Sequence, residues 1–185
     1  SNLPKNLMDL DNNVEKNISL LAEAKKKKIS EINACVLKRP RHESIIKELN
    51  RLNVNINFIT DGDIAGALSV IGEKSKNDIY YSTGGGPEGV IVAAALSCFG
   101  GQIQGRLVLN NEEKMRAKKL GIKNFDKKYN IEDMIKGDVI FCATGVTSGD
   151  LATGVKDLGN EYEVNTFVLH KSQNIIKSVT NIYNK

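Results

Sequence analysis

The sequence predicts an α/β fold, a layered αβα domain in which helices cover both faces of a mostly parallel sheet. Between residues 31 and 99 the order strand, loop, helix occurs three times. Each predicted strand is a short apolar run, and the helix over residues 42–52 places its apolar residues at helical spacing. Because a helix between two strands returns the chain to the starting end of the sheet, this alternation favours parallel pairing.

The boundaries of these first elements follow from breaker residues. Pro40 ends the first strand because it cannot donate a ladder hydrogen bond, Gly72 closes the second helix, and Pro87 stands in the first turn of the third. The predicted strands are EINACVL (31–37), VNINFIT (54–60) and DIYYST (78–83). The helices that follow them are predicted over 42–52, 64–72 and 87–99, with a further amphipathic helix between Leu10 and Leu21.

The second half of the chain is less regular. GRLVLN (105–110) and DVIFCAT (138–144) predict strands, and residues 111–121 predict a short helix. Residues 166–172 and 174–182 predict a closing antiparallel pair that turns at 172–174.

Composition excludes several classes of protein. Hydrophobic residues make up 41% of the 185 residues and charged residues 26%, which predicts a packed core. Aromatic residues are only 5%, so a stacking platform for nucleic acid is not expected, and the net charge of +4 comes largely from solvated lysines such as Lys25–Lys28. The longest apolar run, residues 90–99, falls short of the ~20 residues that span a bilayer. We therefore expect a cytoplasmic protein that binds no nucleic acid and associates with no membrane.

The cysteines and histidines limit the metal chemistry. Cys35, Cys98 and Cys142 each lie in an apolar run and form no CxxC pair, so buried reduced thiols are predicted. The two histidines, His42 and His170, are far apart in sequence, which argues against a histidine-rich zinc site. A bound metal would therefore need oxygen ligands, which favours Mg²⁺ or Mn²⁺.

Polar and glycine residues follow each of the three parallel strands. Ligands of such sheets collect at the carboxyl ends of the strands, so these loops are the predicted site. Guanidinium groups suit phosphate oxygens, carboxylates accept hydrogen bonds from sugar hydroxyls, and glycine permits close backbone approach. The combination predicts a sugar-phosphate site. The loops are Arg39-Pro40-Arg41-His42, Asp61-Gly62-Asp63 and Gly84-Gly85-Gly86-Pro87-Glu88-Gly89.

Each loop also has a purely structural interpretation. The arginines could mark a solvated turn, Asp61-Gly62-Asp63 a turn with a helix cap, and Glu88 an acidic first-turn residue that complements the helix dipole. The glycine loop also satisfies the G-x-G-x-x-G pattern of dinucleotide-binding folds. Against that reading, the next predicted strand ends in Leu109-Asn110-Asn111 without an acidic residue, and Glu88 would repel a pyrophosphate unless a divalent cation lay between them.

Four segments resemble a known family in order and spacing. They are KRPRH (38–42), DGDIAGAL (61–68), GGGPEGVIVAAALSCFGGQIQGRL (84–107) and FCATGVTSGDLATGV (141–155). Together they resemble the class II fructose-1,6-bisphosphatases of the bacterial GlpX type. The resemblance implies hydrolysis of the 1-phosphate of fructose 1,6-bisphosphate to fructose 6-phosphate in gluconeogenesis, with Mg²⁺ or Mn²⁺. It also implies a fold like the C-terminal half of the lithium-sensitive sugar phosphatases.

The resemblance implies roles for eight residues. Glu88 resembles the one metal ligand that the C-terminal half of these enzymes provides. The implied substrate contacts are Arg39, Pro40 and Arg41 to phosphate, Asp61, Gly62 and Asp63 to the sugar, and the Gly85 backbone.

The sequence also departs from the family pattern. Gly86 stands where alanine is usual, Ser148 where aspartate is usual, and His170-Lys171 where arginine is usual. The acidic cluster of the family's N-terminal half is not found. We therefore expect residues 1–185 to be the C-terminal α/β domain of a class II sugar bisphosphatase without its N-terminal domain, inactive alone, with residues 1–2 a remnant of tag removal. A homo-oligomer is expected, and sedoheptulose 1,7-bisphosphate is an alternative substrate. The competing hypothesis is a non-catalytic domain that binds sugar phosphates or other anions.

Overall fold

The computed structural model describes residues 3–71, 75–149 and 151–185. Its helices are α1 (Val14–Lys25), α2 (Glu43–Arg51), α3 (Asp63–Leu68), α4 (Gly86–Phe99), α5 (Asn111–Lys119) and α6 (Ile131–Met134). Its strands are β1 (Asn33–Leu37), β2 (Asn55–Ile59), β3 (Ile79–Tyr81), β4 (Gly105–Arg106), β5 (Lys128–Tyr129), β6 (Ile140–Thr144), β7 (Lys156–Asp157), β8 (Glu161–His170) and β9 (Ile175–Asn184). Short 3₁₀ turns occupy Ile29–Glu31 and Pro40–His42.

The first three strands form a parallel sheet in the order β2-β1-β3. Val36 of the central strand faces Phe58 of β2 and Tyr81 of β3, and every residue of β1 from Ala34 to Leu37 is buried. Burial of four consecutive residues means that both faces of this strand are covered, as expected for parallel sheets. The α/β class predicted from the sequence is confirmed.

Helices α1 and α2 cover one face of the parallel sheet. Ile18 and Leu21 of α1 and Leu49 of α2 pack against Ala34 and Val36 of β1, and Ile18, Leu49 and both β1 residues have no exposed surface. Burial of each large side chain contributes about 1.5–3 kcal/mol. This packing forms the first hydrophobic core.

Helices α3 and α4 form the layer that carries the second core. Ala67 and Leu68 of α3 pack with Val92, Ala95 and Leu96 of α4. Tyr80 of β3 packs against this cluster from the parallel sheet. Phe141 and Leu169 of the antiparallel sheet belong to the same cluster, so α4 lies between the two sheets.

The last strands form a separate antiparallel sheet around β8. Strands β6 and β7 pair with the two ends of β8 along one side, and β9 pairs with its full length along the other. The predicted closing hairpin is therefore confirmed, with longer strands than expected. Asp138 fixes its turn, because its carboxylate accepts hydrogen bonds from the Ser172 backbone and hydroxyl and contacts His170 Nε2 at 2.8 Å.

Two expectations from the sequence fail in this half. Of GRLVLN, only Gly105–Arg106 is a strand, paired with β5, and Val108 is 76% exposed. Cys35 is buried as predicted, but Cys98 is partly exposed and Cys142 is exposed. Cys142 alternates with the buried Phe141 along β6 and so lies on the opposite, outer face of the sheet. The predicted closure of the second helix at Gly72 lies outside the described residues, as do residues 1–2 and Asp150, and α3 itself ends at Leu68.

The segment QIQGR, in the most distinctive of the quoted motifs, holds the start of the chain. Gln102 Nε2 donates to the carbonyls of Leu3 and Pro4, at 3.2 and 3.0 Å. Gln104 Oε1 accepts the Leu10 backbone N–H at 2.7 Å, and Arg106 pairs with the carboxylate of Asp11. Alternate side chains of one extended segment thus tie residues 3–11 to the body of the protein. Within the described residues, no helix combines the length and the apolar content that a membrane crossing requires.

Candidate functional site

An open cleft of about 600 Å³ lies at the carboxyl edge of the parallel sheet. It is the place where the loops after β1, β2 and β3 meet the N-terminus of α4. Its lining combines one guanidinium, three carboxylates and a glycine-rich backbone. The lining residues are Arg41, Asp61, Gly62, Asp63, Ile64, Thr83, Gly84, Gly85 and Glu88.

Six of the eight predicted site residues line this cleft, and two do not. Arg41 lies in the 3₁₀ turn after β1, and its Nε donates to the Thr83 carbonyl at 2.5 Å. Arg39 and Pro40 are exposed and lie outside the lining. The Arg39 guanidinium turns back to the carbonyl of Lys38, at 3.2 Å. The two arginines therefore differ in position, although the same role was predicted for both from the sequence.

Asp63 is the most firmly held carboxylate of the cleft. Its Oδ1 accepts hydrogen bonds from the Tyr80 hydroxyl at 2.6 Å and the Ser82 hydroxyl at 2.7 Å. Partial burial works to raise the pKa of Asp63, but these two hydrogen bonds and the positive charge of Arg41 lower it overall. Burial, reinforced by the contact with Asp63, raises the pKa of Tyr80. Asp63 is thus an ionised acceptor with a fixed orientation.

The backbone between the two aspartates requires glycine. Gly62 has φ +84°, in the left-handed region that residues with a Cβ rarely adopt. This turn places Asp63 in the first turn of α3, and the Asp61 carboxylate accepts the N–H of Gly62 at 2.8 Å. The glycine therefore allows both carboxylates to line one cleft.

Glu88 lies in the first turn of α4 and folds back over the glycine loop. A Cβ added to Gly85 would lie 2.0 Å from Glu88 Oε2, so the carboxylate occupies the space that glycine leaves open. At Gly86, by contrast, an added Cβ would meet nothing within 4 Å. Gly85 is therefore needed for the present placement of Glu88, and Gly86 is not.

The described residues do not by themselves form a metal centre. Asp61, Asp63 and Glu88 share the cleft, but in residues 3–71, 75–149 and 151–185 no three His, Cys, Asp or Glu side chains come close enough to hold an ion. Mg²⁺ prefers about six oxygen ligands in a near-octahedral arrangement. The described residues therefore bring carboxylates to the cleft without assembling a complete metal site.

Sequence reasoning did not assign roles to the residues that support the cleft. Tyr80 and Ser82 orient Asp63, and the fully buried His42 accepts the Thr83 backbone N–H at Nε2, at 2.7 Å. Tyr80 and Ser82 alternate along and just after β3, which places them on one face of the strand. That alternation was the available signal for the pair, whereas the contact between residues 42 and 83 has no local signal in the sequence.

Comparisons with known proteins identify the family of this chain. Residues 1–183 match the model of the family described as bacterial fructose-1,6-bisphosphatase, glpX-encoded. The class 2 fructose-1,6-bisphosphatase of Haemophilus influenzae is 32% identical over 194 residues, which cover 97% of this chain and 58% of that protein. Proteins of two Synechococcus strains, JA-3-3Ab and JA-2-3B'a(2-13), are named D-fructose 1,6-bisphosphatase class 2/sedoheptulose 1,7-bisphosphatase. Each is 33% identical over 195 residues, covering 98% of this chain and 56% of the relative.

The chain thus spans less than three fifths of the length of these curated relatives. The family match, by contrast, extends over nearly all of its residues and includes the loops that build the cleft. The chain belongs to the glpX-encoded family of bacterial fructose-1,6-bisphosphatases.

Proposed function

We propose that this chain is the substrate-binding part of a cytoplasmic, metal-dependent fructose-1,6-bisphosphatase that acts in gluconeogenesis. The complete enzyme would hydrolyse the 1-phosphate of fructose 1,6-bisphosphate to fructose 6-phosphate and phosphate. The observation that supports this most strongly is the cleft itself, which brings Arg41, two aspartates and Glu88 to the edge of three parallel strands. Sedoheptulose 1,7-bisphosphate is a second candidate substrate, since it presents the same two phosphates on a longer sugar.

Arg41 would bind a phosphate of the substrate. Its guanidinium is fixed by the bond to Thr83, which leaves the terminal nitrogens to reach into the cleft. A planar fork of donors suits two phosphate oxygens at once. The N-terminus of α4 adds partial positive charge on the neighbouring wall. Arg39 would contribute only if its side chain turned away from Lys38.

The aspartates would orient the sugar. Asp63 is held in the ionised form with Oδ1 occupied by Tyr80 and Ser82, so Oδ2 is the oxygen that remains for a hydroxyl of the substrate. Gly85 would offer close backbone approach beside it. Glu88 would supply one ligand of a bound Mg²⁺ or Mn²⁺, whose charge would neutralise the phosphate. The described residues assemble no group of three such ligands, so a complete metal site would need ligands from outside them.

A specific observation also favours a second function. Because the described residues do not assemble three metal-binding side chains, the chain could serve as a non-catalytic domain for sugar phosphates. The same cleft would bind the ligand without hydrolysis. The encoding gene distinguishes the two: an upstream reading frame with clustered aspartate and glutamate supports the enzyme.

The test is phosphate release from fructose 1,6-bisphosphate, with Mg²⁺ or Mn²⁺, by this chain and by the complete product of its gene. We expect turnover only from the complete product. Glu88→Gln in that product should lower kcat by about a hundredfold or more, since the amide keeps the shape but loses the charge that binds metal. Turnover unchanged by Glu88→Gln would remove the metal-ligand role. Absence of turnover in the complete wild-type product would favour the binding domain.

A further inference from the structure

Two consecutive residues of the loop after β1, Arg41 and His42, form hydrogen bonds with the carbonyl and the N–H of Thr83. Arg41 Nε donates to the Thr83 carbonyl at 2.5 Å, and His42 Nε2 accepts the Thr83 N–H at 2.7 Å. The partners are separated by about forty positions in sequence, so the contact joins the loop after β1 to the loop after β3. We call this arrangement the Thr83 clamp.

His42 is fixed at both ring nitrogens. Its Nδ1 lies 2.6 Å from the carbonyl of Leu37, the last residue of β1, and the side chain has no exposed surface. The tautomer with its proton on Nδ1 satisfies both contacts, because a carbonyl needs a donor and an N–H needs an acceptor. The ring therefore connects the end of the central strand rigidly to the glycine loop.

The clamp bears directly on the cleft. Thr83 and Gly84 line it and precede the N-terminus of α4, and Arg41 is the only arginine among its lining residues. The Thr83 N–H and the Thr83 carbonyl belong to the two peptide groups on either side of its Cα. If the Thr83 backbone turned without its bond to His42, the carbonyl would no longer meet Arg41 Nε, and the guanidinium would lose its one described hydrogen bond. Misplacement of a binding group by about 1 Å is enough to reduce function up to a hundredfold.

We infer that His42 is a positioning residue that orients Arg41 through the backbone of Thr83. The inference rests on the proposed function in so far as Arg41 binds the substrate phosphate. His42 itself does not line the cleft, so its effect on the ligand passes through Thr83 and Arg41.

Two substitutions separate this role from simple core packing. In His42→Asn the amide N–H can take the place of Nδ1–H toward Leu37, but no group reaches Thr83. In His42→Gln the longer side chain can present its amide oxygen to the Thr83 N–H instead. His170→Asn, in the antiparallel sheet, is the matched control for replacing a histidine far from the cleft.

Two measurements on the chain itself decide the question, at a temperature where circular dichroism shows every variant folded. The first is calorimetric binding of fructose 1,6-bisphosphate. We expect about tenfold weaker binding for His42→Asn, within about threefold of wild type for His42→Gln, and no change for His170→Asn. The second is the nitrogen-15 NMR signal of Arg41 Nε–H, which should broaden or vanish in His42→Asn and persist in His42→Gln.

The outcomes are distinguishable. An Arg41 Nε–H signal that persists in His42→Asn, or wild-type affinity in that variant despite a lost signal, would overturn the positioning role. Equal loss of affinity in the asparagine and glutamine variants would assign His42 to core packing and also overturn it. If the wild-type chain fails to bind the bisphosphate, the proposed function loses its support, whereas the Arg41 signal still tests the clamp.

Discussion

The two sheets of this protein are covered to very different extents. In the parallel sheet, β1 is buried over four consecutive residues, between α1 and α2 on one face and α3 and α4 on the other. Among the described residues of the antiparallel sheet only Phe141 of β6 and Leu169 of β8 are buried, and on β9 Ile176, Ile182 and Tyr183 are each more than half exposed. The candidate site lies at the edge of the sheet whose central strand is buried on both faces.

The outer face of the antiparallel sheet carries exposed apolar side chains among polar ones. Register places Ile140, Val168 and Ile175 at one end of this face and Tyr162 and Tyr183 at the other, with Ile140 67% exposed and Tyr183 54% exposed. The inner face packs on α4, where the Phe99 and Phe167 rings lie 6.4 Å apart. Burial is therefore concentrated around the sheet whose edge carries the candidate cleft.

The largest predicted effect is a difference in the free energy of unfolding between substitutions at the two sheets. Leu49→Ala, at a site with no exposed surface beneath the parallel sheet, should lower the free energy of unfolding by about 2–5 kcal/mol. Ile176→Ala, at a 54% exposed position of β9, should lower it by less than about 1 kcal/mol. Urea unfolding followed by circular dichroism measures both. Equal losses would show that the two sheets are equally well packed.

The two arginines offer the next largest contrast. Arg41→Ala should weaken binding of fructose 1,6-bisphosphate by about tenfold to a hundredfold, because a charged hydrogen bond is worth about 1.5–3 kcal/mol. Arg41→Lys should recover only part of the loss, since an ammonium cannot form the planar fork. Arg39→Ala, outside the cleft lining, is the matched control and should change affinity by less than about threefold. A larger effect at Arg39 would place the phosphate outside this cleft.

A smaller, stabilising effect is expected at the start of α4. Gly86→Ala introduces a Cβ into open space at a position without positive φ, so it should raise the free energy of unfolding by about 0.4–1 kcal/mol through the unfolded state. Gly85→Ala is the contrasting variant, because its Cβ would displace the Glu88 carboxylate. Thermal unfolding compares the two. A destabilised Gly86→Ala would mean that the loop needs glycine at both positions.

The smallest predicted effect is on the stability of the fold at low pH. Hydrogen bonds from Ser172, and then His170, hold the pKa of Asp138 below its usual range. A carboxyl whose pKa is lower in the folded state stabilises the fold above the unfolded value of about 3.9, and this contribution is lost as the pH falls below it. Asp138→Asn should therefore flatten the decline in thermal midpoint below about pH 4, with the exposed Asp126→Asn as control. Identical pH profiles for Asp138→Asn and wild type would show that the contact adds nothing to stability.

The sequence predicted those parts of the fold that have local signals. Strands β1 to β3, the helices after them and the closing hairpin follow from apolar spacing and from breakers such as Pro40 and Pro87. The apolar residues 107–109 gave a wrong strand prediction. Three apolar residues in a row suggest a strand, but no described partner strand pairs with them. Cys142 was misassigned for a related reason: an apolar run does not reveal which face of a sheet is covered.

The candidate site was predictable only in part. The loops at the strand ends identified Arg41, Asp61, Asp63, Gly85 and Glu88, because all parallel strands end at one edge. The direction of the Arg39 side chain and the Thr83 clamp depend on tertiary contacts that no local pattern specifies. A homo-oligomeric state, a cytoplasmic location and the roles of the site residues stay predictions.

The most direct test of the account is a titration of the nitrogen-15-labelled chain with fructose 1,6-bisphosphate, followed by amide NMR signals. The account predicts that the largest shift changes occur at Gly62, Thr83, Gly84 and Gly85, while the amides of β8 and β9 keep their positions. Fructose without phosphate is the control and should cause no comparable change. Shift changes concentrated in β8 and β9, or none at the glycine loop, would contradict the claim that the edge of the parallel sheet binds the sugar phosphate.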